Sequence, residues 1–217
     1  MEDKLPILAI ETSDELCSVA VLINKSTFYE SSIRRKHVHS EKLISLVEQT
    51  LNIAELKLSD IKTIAVSEGP GSFTGLRIGM AAAKGMAIAQ GCNFIAVPTI
   101  EAMALQICSY LETDKEFAIA NNVNRDEVYF AKFRSADDNY ETVTELKIID
   151  QEDVNSELNN SEVVYGSYIK KINSFNFSAP DAKFVALWAY LNGSELITKD
   201  YDYIEPNYLK NFVVRRK

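Results

Sequence analysis

The segment from Ser67 to Gly79, Ser-Glu-Gly-Pro-Gly-Ser-Phe-Thr-Gly-Leu-Arg-Ile-Gly, constrains the fold more than any other stretch of the chain. It follows an apolar, β-branched run at 61–67 that reads as a buried strand. It then opens a helical pattern over 74–90 that Gly91 stops. A glycine turn between strand and helix gathers backbone N–H groups at the positive end of the helix, where an anion is favoured. The pattern is not a P-loop, because no Gly-Lys-Ser/Thr follows, and it is neither GxGxxG nor GxSxG. Gly75, Gly79, Ala83 and Ala87 recur every four residues and form a ridge of small residues on one helix face. Glycine inside a helix costs about 1 kcal/mol relative to alanine, so the ridge implies a close neighbour. That neighbour is either the chain's own sheet or a helix of a second chain, and spacing leaves both open.

The flanking pattern is α/β. Residues 5–11, 18–24 and 27–33 read as three strands joined by short polar turns, which favours an antiparallel meander. A helix is expected over 40–54, with Ser40 as N-cap and Leu43, Leu46, Val47, Thr50 and Leu51 on one face. A strand at 94–97 and a helix at 99–111 complete a β-β-β-α-β-α-β-α order. The second half starts in the same way, with strands at 117–121, 128–133 and 142–149. A short strand at 163–165 and a helix at 179–191 follow. The repeated three-strand start predicts two related lobes, 1–112 and a smaller, degenerate 113–217, each a mixed sheet flanked by helices.

The chain of 217 residues is 47% hydrophobic and 25% charged, which is ordinary for a globular protein. It has no apolar run near the ~20 residues a membrane helix needs, and no signal-peptide pattern, so a cytoplasmic protein is expected. Cys17, Cys92 and Cys108 form no CxxC and read as buried free thiols. The net charge of −8 disfavours extensive direct nucleic-acid binding. Two basic clusters, Arg34-Arg35-Lys36-His37 and Arg215-Arg216-Lys217, read as solvated surface that could touch RNA held mainly by another protein. The two histidines, His37 and His39, have no third ligand near in sequence, so no metal is expected.

The 69–79 segment resembles the signature of the TsaB (YeaZ) family. So do Ile10-Glu11-Thr12-Ser13, His39-Ser40-Glu41, Ala83-Lys84-Gly85 and Glu205-Pro206-Asn207-Tyr208-Leu209. The resemblance implies an actin-like ATPase fold with two RNase H-like lobes. It also implies a role in making threonylcarbamoyladenosine beside the anticodon of tRNAs that read ANN codons. The implied part is a non-catalytic partner of a TsaD-type catalytic subunit, with a TsaE-type ATPase, and a homodimer when alone. tRNA contact would be indirect. The catalytic paralogue carries a metal-binding His-x-x-x-His where this chain has Thr99 and Met103. The family's usual Asp-Ala-Arg is replaced by Asn122-Val123-Asn124. Only Gly166 and Gly193 lie in the second half, so no glycine loop of that lobe grips a phosphate, and ATP or ADP binding is expected to be weak or absent. Thr12 and Ser13 are the candidate phosphate-proximal residues. On this reading the helices 40–54 and 74–90 form the partner interface through Leu43, Val47, Gly75, Leu76, Gly79, Met80 and Ala83. The alternative is a weakly active ATP- or metal-dependent transferase or peptidase of the same fold.

Overall fold

The structure, a computed structural model, describes residues 4–159, 162–168 and 174–209. The basic cluster at 215–217 lies outside the described residues. The first sheet takes its strands from β1 (Ile7–Glu11), β2 (Leu16–Asn24), β3 (Thr27–Arg34), β4 (Thr63–Gly69) and β5 (Asn93–Pro98), in spatial order β3-β2-β1-β4-β5. β1, β2 and β3 form the antiparallel meander, while β4 and β5 add in parallel beyond β1. The second sheet holds β6 (Glu116–Asn122), β7 (Glu127–Ala136), β8 (Asn139–Asp150), β9 (Val163–Gly166) and β10 (Ser174–Asn176), in order β10-β9-β6-β7-β8. Here too a three-strand meander is extended by two parallel strands, so the sheets share one topology. β10, three residues long, carries too little pattern to be read from sequence.

Helices α1 (His39–Ile53) and α2 (Phe73–Gln90) cover one face of the first sheet, sealing a core that includes Leu8, Ile10, Val19, Leu43, Val47, Val66 and Met80. α1 starts one residue earlier than expected. Val38 is its N-cap, without a side-chain hydrogen bond, and Ser40 lies in the first turn. The cause is His39, whose ring is drawn inward so that Nε2 meets the Asp14 carbonyl at 2.6 Å. Ser72 caps α2 by accepting a hydrogen bond from the Gly75 N–H (3.3 Å), and Gly91 ends it in the left-handed region at φ 61°.

The opposite face is covered by α3 (Thr99–Cys108) and α4 (Ala182–Leu191). Phe184, Val185, Trp188 and Ala189 of α4 pack on Ile7, Ala9, Ala65 and Ile95. At roughly 1.5–3 kcal/mol for each large apolar side chain fully buried, this is a major share of that core. α4, and the described chain after it, return to the first sheet. Thr198 bridges the edge of β5 at Phe94, and Tyr201 donates its hydroxyl to the Cys92 carbonyl at 2.6 Å. The second sheet takes its strands from between 116 and 176. α3 is wedged between the sheets, with Ala102 and Leu105 facing the first and Ile100, Met103, Ala104 and Ile107 facing the second. This explains why nearly every residue of α3 is buried and why apolar residues occur on more than one of its sides. Among the described residues no helix is long and apolar enough to cross a membrane.

Candidate functional site

The glycine-rich turn closes over the first turn of the chain. Ser72 donates its N–H to the Ser13 carbonyl at 2.6 Å, and Thr12 donates its hydroxyl to the Gly75 carbonyl at 2.8 Å. A Cβ at Gly71 would press on Ser13, one at Gly75 would overlap the Thr12 carbonyl, and one at Gly79 would overlap Thr12 Oγ1. The close neighbour of the two ridge glycines is therefore Thr12 of the same chain, by its carbonyl at Gly75 and by its side chain at Gly79.

Glu11 lies beneath this turn, fully buried, accepting hydrogen bonds from the Ser13 N–H and the Ser67 hydroxyl. Burial pushes its carboxyl up to about 7, against the lowering effect of those bonds. Thr12 and Ser13 are buried as well, and the Thr12 hydroxyl is committed to Gly75. A cavity of ≈ 300 Å³ opens beside the turn, lined among others by Asp14, Glu15, Lys36, His37, Ser72 and Thr74. Its charges are mixed and Lys36 pairs with Glu15 at 3.3 Å, so it is not an anion cradle.

The expected interface residues are redistributed by the packing. Leu43, Val47, Met80 and Ala83 lie in the core between α1, α2 and the sheet, Leu76 is fully buried beside Gly69, and Gly75 and Gly79 lie under Thr12. All seven are buried within this chain. The physical reason is that α2 is apolar nearly all round, so its small-residue ridge was free to face inward. The outward faces carry different residues. Ile44 and Ile53 of α1 and Ile88 of α2 are each more than half exposed, and Ala81, Gly85 and Ala89 join them. A Cβ added at Gly85 meets nothing within 4 Å, so no internal contact explains that glycine.

Between the lobes the chain bridges its own crevice. Ser178 donates its hydroxyl to the Asp14 carboxylate in the first lobe and accepts from Asn121 Nδ2 in the second at 3.1 Å. The second-lobe loop at 122–127 is closed on itself. Asn124 Oδ1 accepts from the N–H groups of Asp126 (2.8 Å) and Glu127 (3.0 Å), and Asn122 Nδ2 donates to the Ser167 carbonyl at 2.8 Å. The N–H groups of Val123, Asp126 and Glu127 are thus bonded within the loop. Where the resemblance puts a histidine pair, Thr99 Oγ1 accepts from the Gly69 N–H at 3.0 Å, and Met103 Sδ accepts from Asn121 Nδ2 at 3.5 Å. Both side chains are internal. His37 is exposed at φ 58°, His39 is buried, and no group of three potential metal ligands converges among the described residues.

Sequence reasoning cited Glu205 to Leu209 only as part of the family resemblance and gave it no place in the site, whereas in the structure this last described segment forms the outer wall of the turn. Asn207 donates its N–H to the Glu68 carbonyl at 2.7 Å, and its own carbonyl oxygen lies 2.6 Å from where a Cβ at Gly69 would be. Tyr208 packs against Phe73 in a tilted pair with ring centroids 5.0 Å apart, and its hydroxyl accepts from Arg77 Nε at 2.9 Å. The signal was available in the Glu-Pro-Asn-Tyr-Leu motif, but nothing local ties that motif to residue 69.

Comparison with known proteins agrees with this architecture. The family profile described as "TsaD: tRNA N6-adenosine threonylcarbamoyltransferase" matches residues 33–201, well over half of the chain. The TsaB protein of Haemophilus influenzae, named for tRNA threonylcarbamoyladenosine biosynthesis, is 26% identical over 98% of this chain and 97% of its own length. The TsaB protein of Buchnera aphidicola subsp. Schizaphis graminum is 28% identical over 87% of this chain and 95% of its own. A crystal structure from Pseudomonas aeruginosa, titled as an uncharacterized protein with similarity to peptidase YeaZ, superposes with a TM-score of 0.80 at 23% identity. It covers 94% of this chain and 99% of that one. The fold is the actin-like one, with its two mixed sheets flanked by helices, and the chain belongs to the TsaD family, among its TsaB (YeaZ) members.

Proposed function

We propose that the chain is an accessory subunit in the biosynthesis of tRNA threonylcarbamoyladenosine, supporting a TsaD-type catalytic subunit together with a TsaE-type ATPase. The full-length likeness to proteins named for that pathway supports the pathway. The observation that carries the non-catalytic part is the internal use of Thr99 and Met103, which are hydrogen-bonded within the fold where the resemblance expects a metal-binding pair. The Ser178 bridge and the closed loop at 122–127 support a chain that acts without its own nucleotide.

On this reading the partner docks on the outward faces of α1 and α2, on Ile44, Ala81, Gly85 and Ile88. Apolar patches of this kind rarely stay solvated, so the same face joins two copies when the partner is missing. tRNA is then held mainly by the partner, in keeping with the charge of −8. The competing reading, weak transferase or peptidase activity, has in its favour the peptidase wording attached to the Pseudomonas aeruginosa structure.

The deciding experiment is threonylcarbamoyl transfer to unmodified tRNA, with the catalytic subunit, the ATPase, ATP and threonylcarbamoyl-AMP supplied, with and without this chain. Modification that needs both this chain and the catalytic subunit is the expected outcome. Full modification without this chain overturns the proposal, and turnover by this chain alone establishes the competing reading.

A further inference from the structure

Arg77 lies at the start of α2 with its guanidinium fixed in place although the residue is exposed. Its Cζ sits 4.0 Å over the Phe73 ring and 5.8 Å from the Tyr208 ring centroid, and Nε donates to the Tyr208 hydroxyl at 2.9 Å. No carboxylate of the described residues pairs with it. Tyr208 is held in turn by the chain before it. The Asn207 N–H bonds to Glu68, Tyr201 reaches the Cys92 carbonyl, and Tyr201 and Ile204 pack on the core under α2. Residues 201–209 thus form a strap across the outside of the glycine turn, and its far end orients one cation. Arg77 also heads the outward row of α2 that continues through Ala81, Gly85 and Ile88.

We propose that the strap preorganises Arg77 as a fixed cation at the end of the docking face, where it takes a carboxylate of the partner subunit. The inference rests on the proposed docking of a TsaD-type partner on α2. An exposed arginine normally loses much rotamer freedom when it is bound. One already clamped between an aromatic ring and a hydroxyl avoids that loss and presents its remaining N–H fork in one orientation. Arg77 and Tyr208 then have separate roles: Arg77 makes the contact, and Tyr208 is a positioning residue.

The test measures the affinity of the purified chain for the catalytic subunit at low and high salt, for the wild type and for Arg77→Ala, Arg77→Lys and Tyr208→Phe. Backbone amide exchange at Ser72, Gly75 and Leu76 is followed in parallel for the wild type and Tyr208→Ala. Arg77→Ala is expected to weaken binding about tenfold at low salt and to flatten its salt dependence, because the lost contact is ionic. Arg77→Lys keeps the charge but not the fork or the stack and recovers only part of the loss. Tyr208→Phe keeps the ring and weakens binding less than Arg77→Ala. Tyr208→Ala is expected to speed exchange at Ser72 and Gly75 about tenfold, with no change in β6, which marks a local effect. Wild-type affinity and salt dependence in Arg77→Ala would overturn the cation's role. Unchanged exchange at Ser72, or faster exchange spread evenly over both sheets, would overturn the strap's role. A wild-type chain that does not bind the catalytic subunit at all would refute the proposed function instead, and the exchange arm would still judge the strap.

Discussion

The Glu11 carboxyl shows how strongly one buried residue can couple this fold to pH. It sits in the interior between Ser13 and Ser67, and burial raises it from the ordinary 4.5 to about 7. The folded chain therefore holds this proton more tightly than the unfolded chain does. The resulting stabilisation is fully present below pH 4.5 and is lost as pH rises through about 7. Glu11→Gln replaces the carboxyl by a neutral amide that can still accept from the Ser13 N–H and donate to Ser67. Urea titrations at pH 5 and pH 8 should show the wild type losing stability between the two and Glu11→Gln losing less. An equal loss in both would mean that Glu11 does not control the dependence. The identity of Glu11 was legible in the first-turn motif, but its burial was not, because a carboxylate at a strand end is equally compatible with solvent.

At the scale of elements, α2 decides most of what the site can be. Its two faces are both lined with small and apolar residues, so helical spacing could not say which face turns inward. The structure answers through the turn at 12–13: Gly75 and Gly79 lie under Thr12, whereas Gly85 faces open space. Two substitutions separate the faces. Gly79→Leu drives a side chain into Thr12 and is expected to destabilise the chain by about 1–3 kcal/mol or more, as overpacking does, so that it cannot serve as a clean interface mutant. The Cβ of Gly85→Leu meets no atom within 4 Å and a helical glycine is removed, so the thermal midpoint should be at or above wild type while binding to the catalytic subunit in gel filtration is abolished. A folded Gly85→Leu chain that still binds normally would remove the outward face of α2 from the proposed interface. The helix ends were easier to place, because Ser72 and Gly91 act through local hydrogen bonding and backbone geometry that the sequence carries directly.

For the whole molecule, the return of the chain to its first sheet matters most. α4 supplies Phe184 and Trp188 to a face that β1, β4 and β5 would otherwise expose, and α3 is shared by both sheets. A fragment of residues 1–112 is therefore expected to collapse without native packing, with Ile7, Leu22, Ile95 and Val97 uncovered. The full chain should unfold in one cooperative transition. Calorimetry of both tests this, and a fragment with its own sharp transition would show that the first lobe is complete without α4. Strand alternation, helix caps and the two three-strand starts are local patterns, and they were enough to specify the meanders, the helices and the duplicated topology. The inward direction of the small-residue ridge, the burial of Glu11, the return of α4 and the clamping of Arg77 by Tyr208 depend on residues far apart in the chain. Such contacts form only when surfaces compete for the same buried space, and that competition is resolved by three-dimensional packing rather than by any local run of sequence.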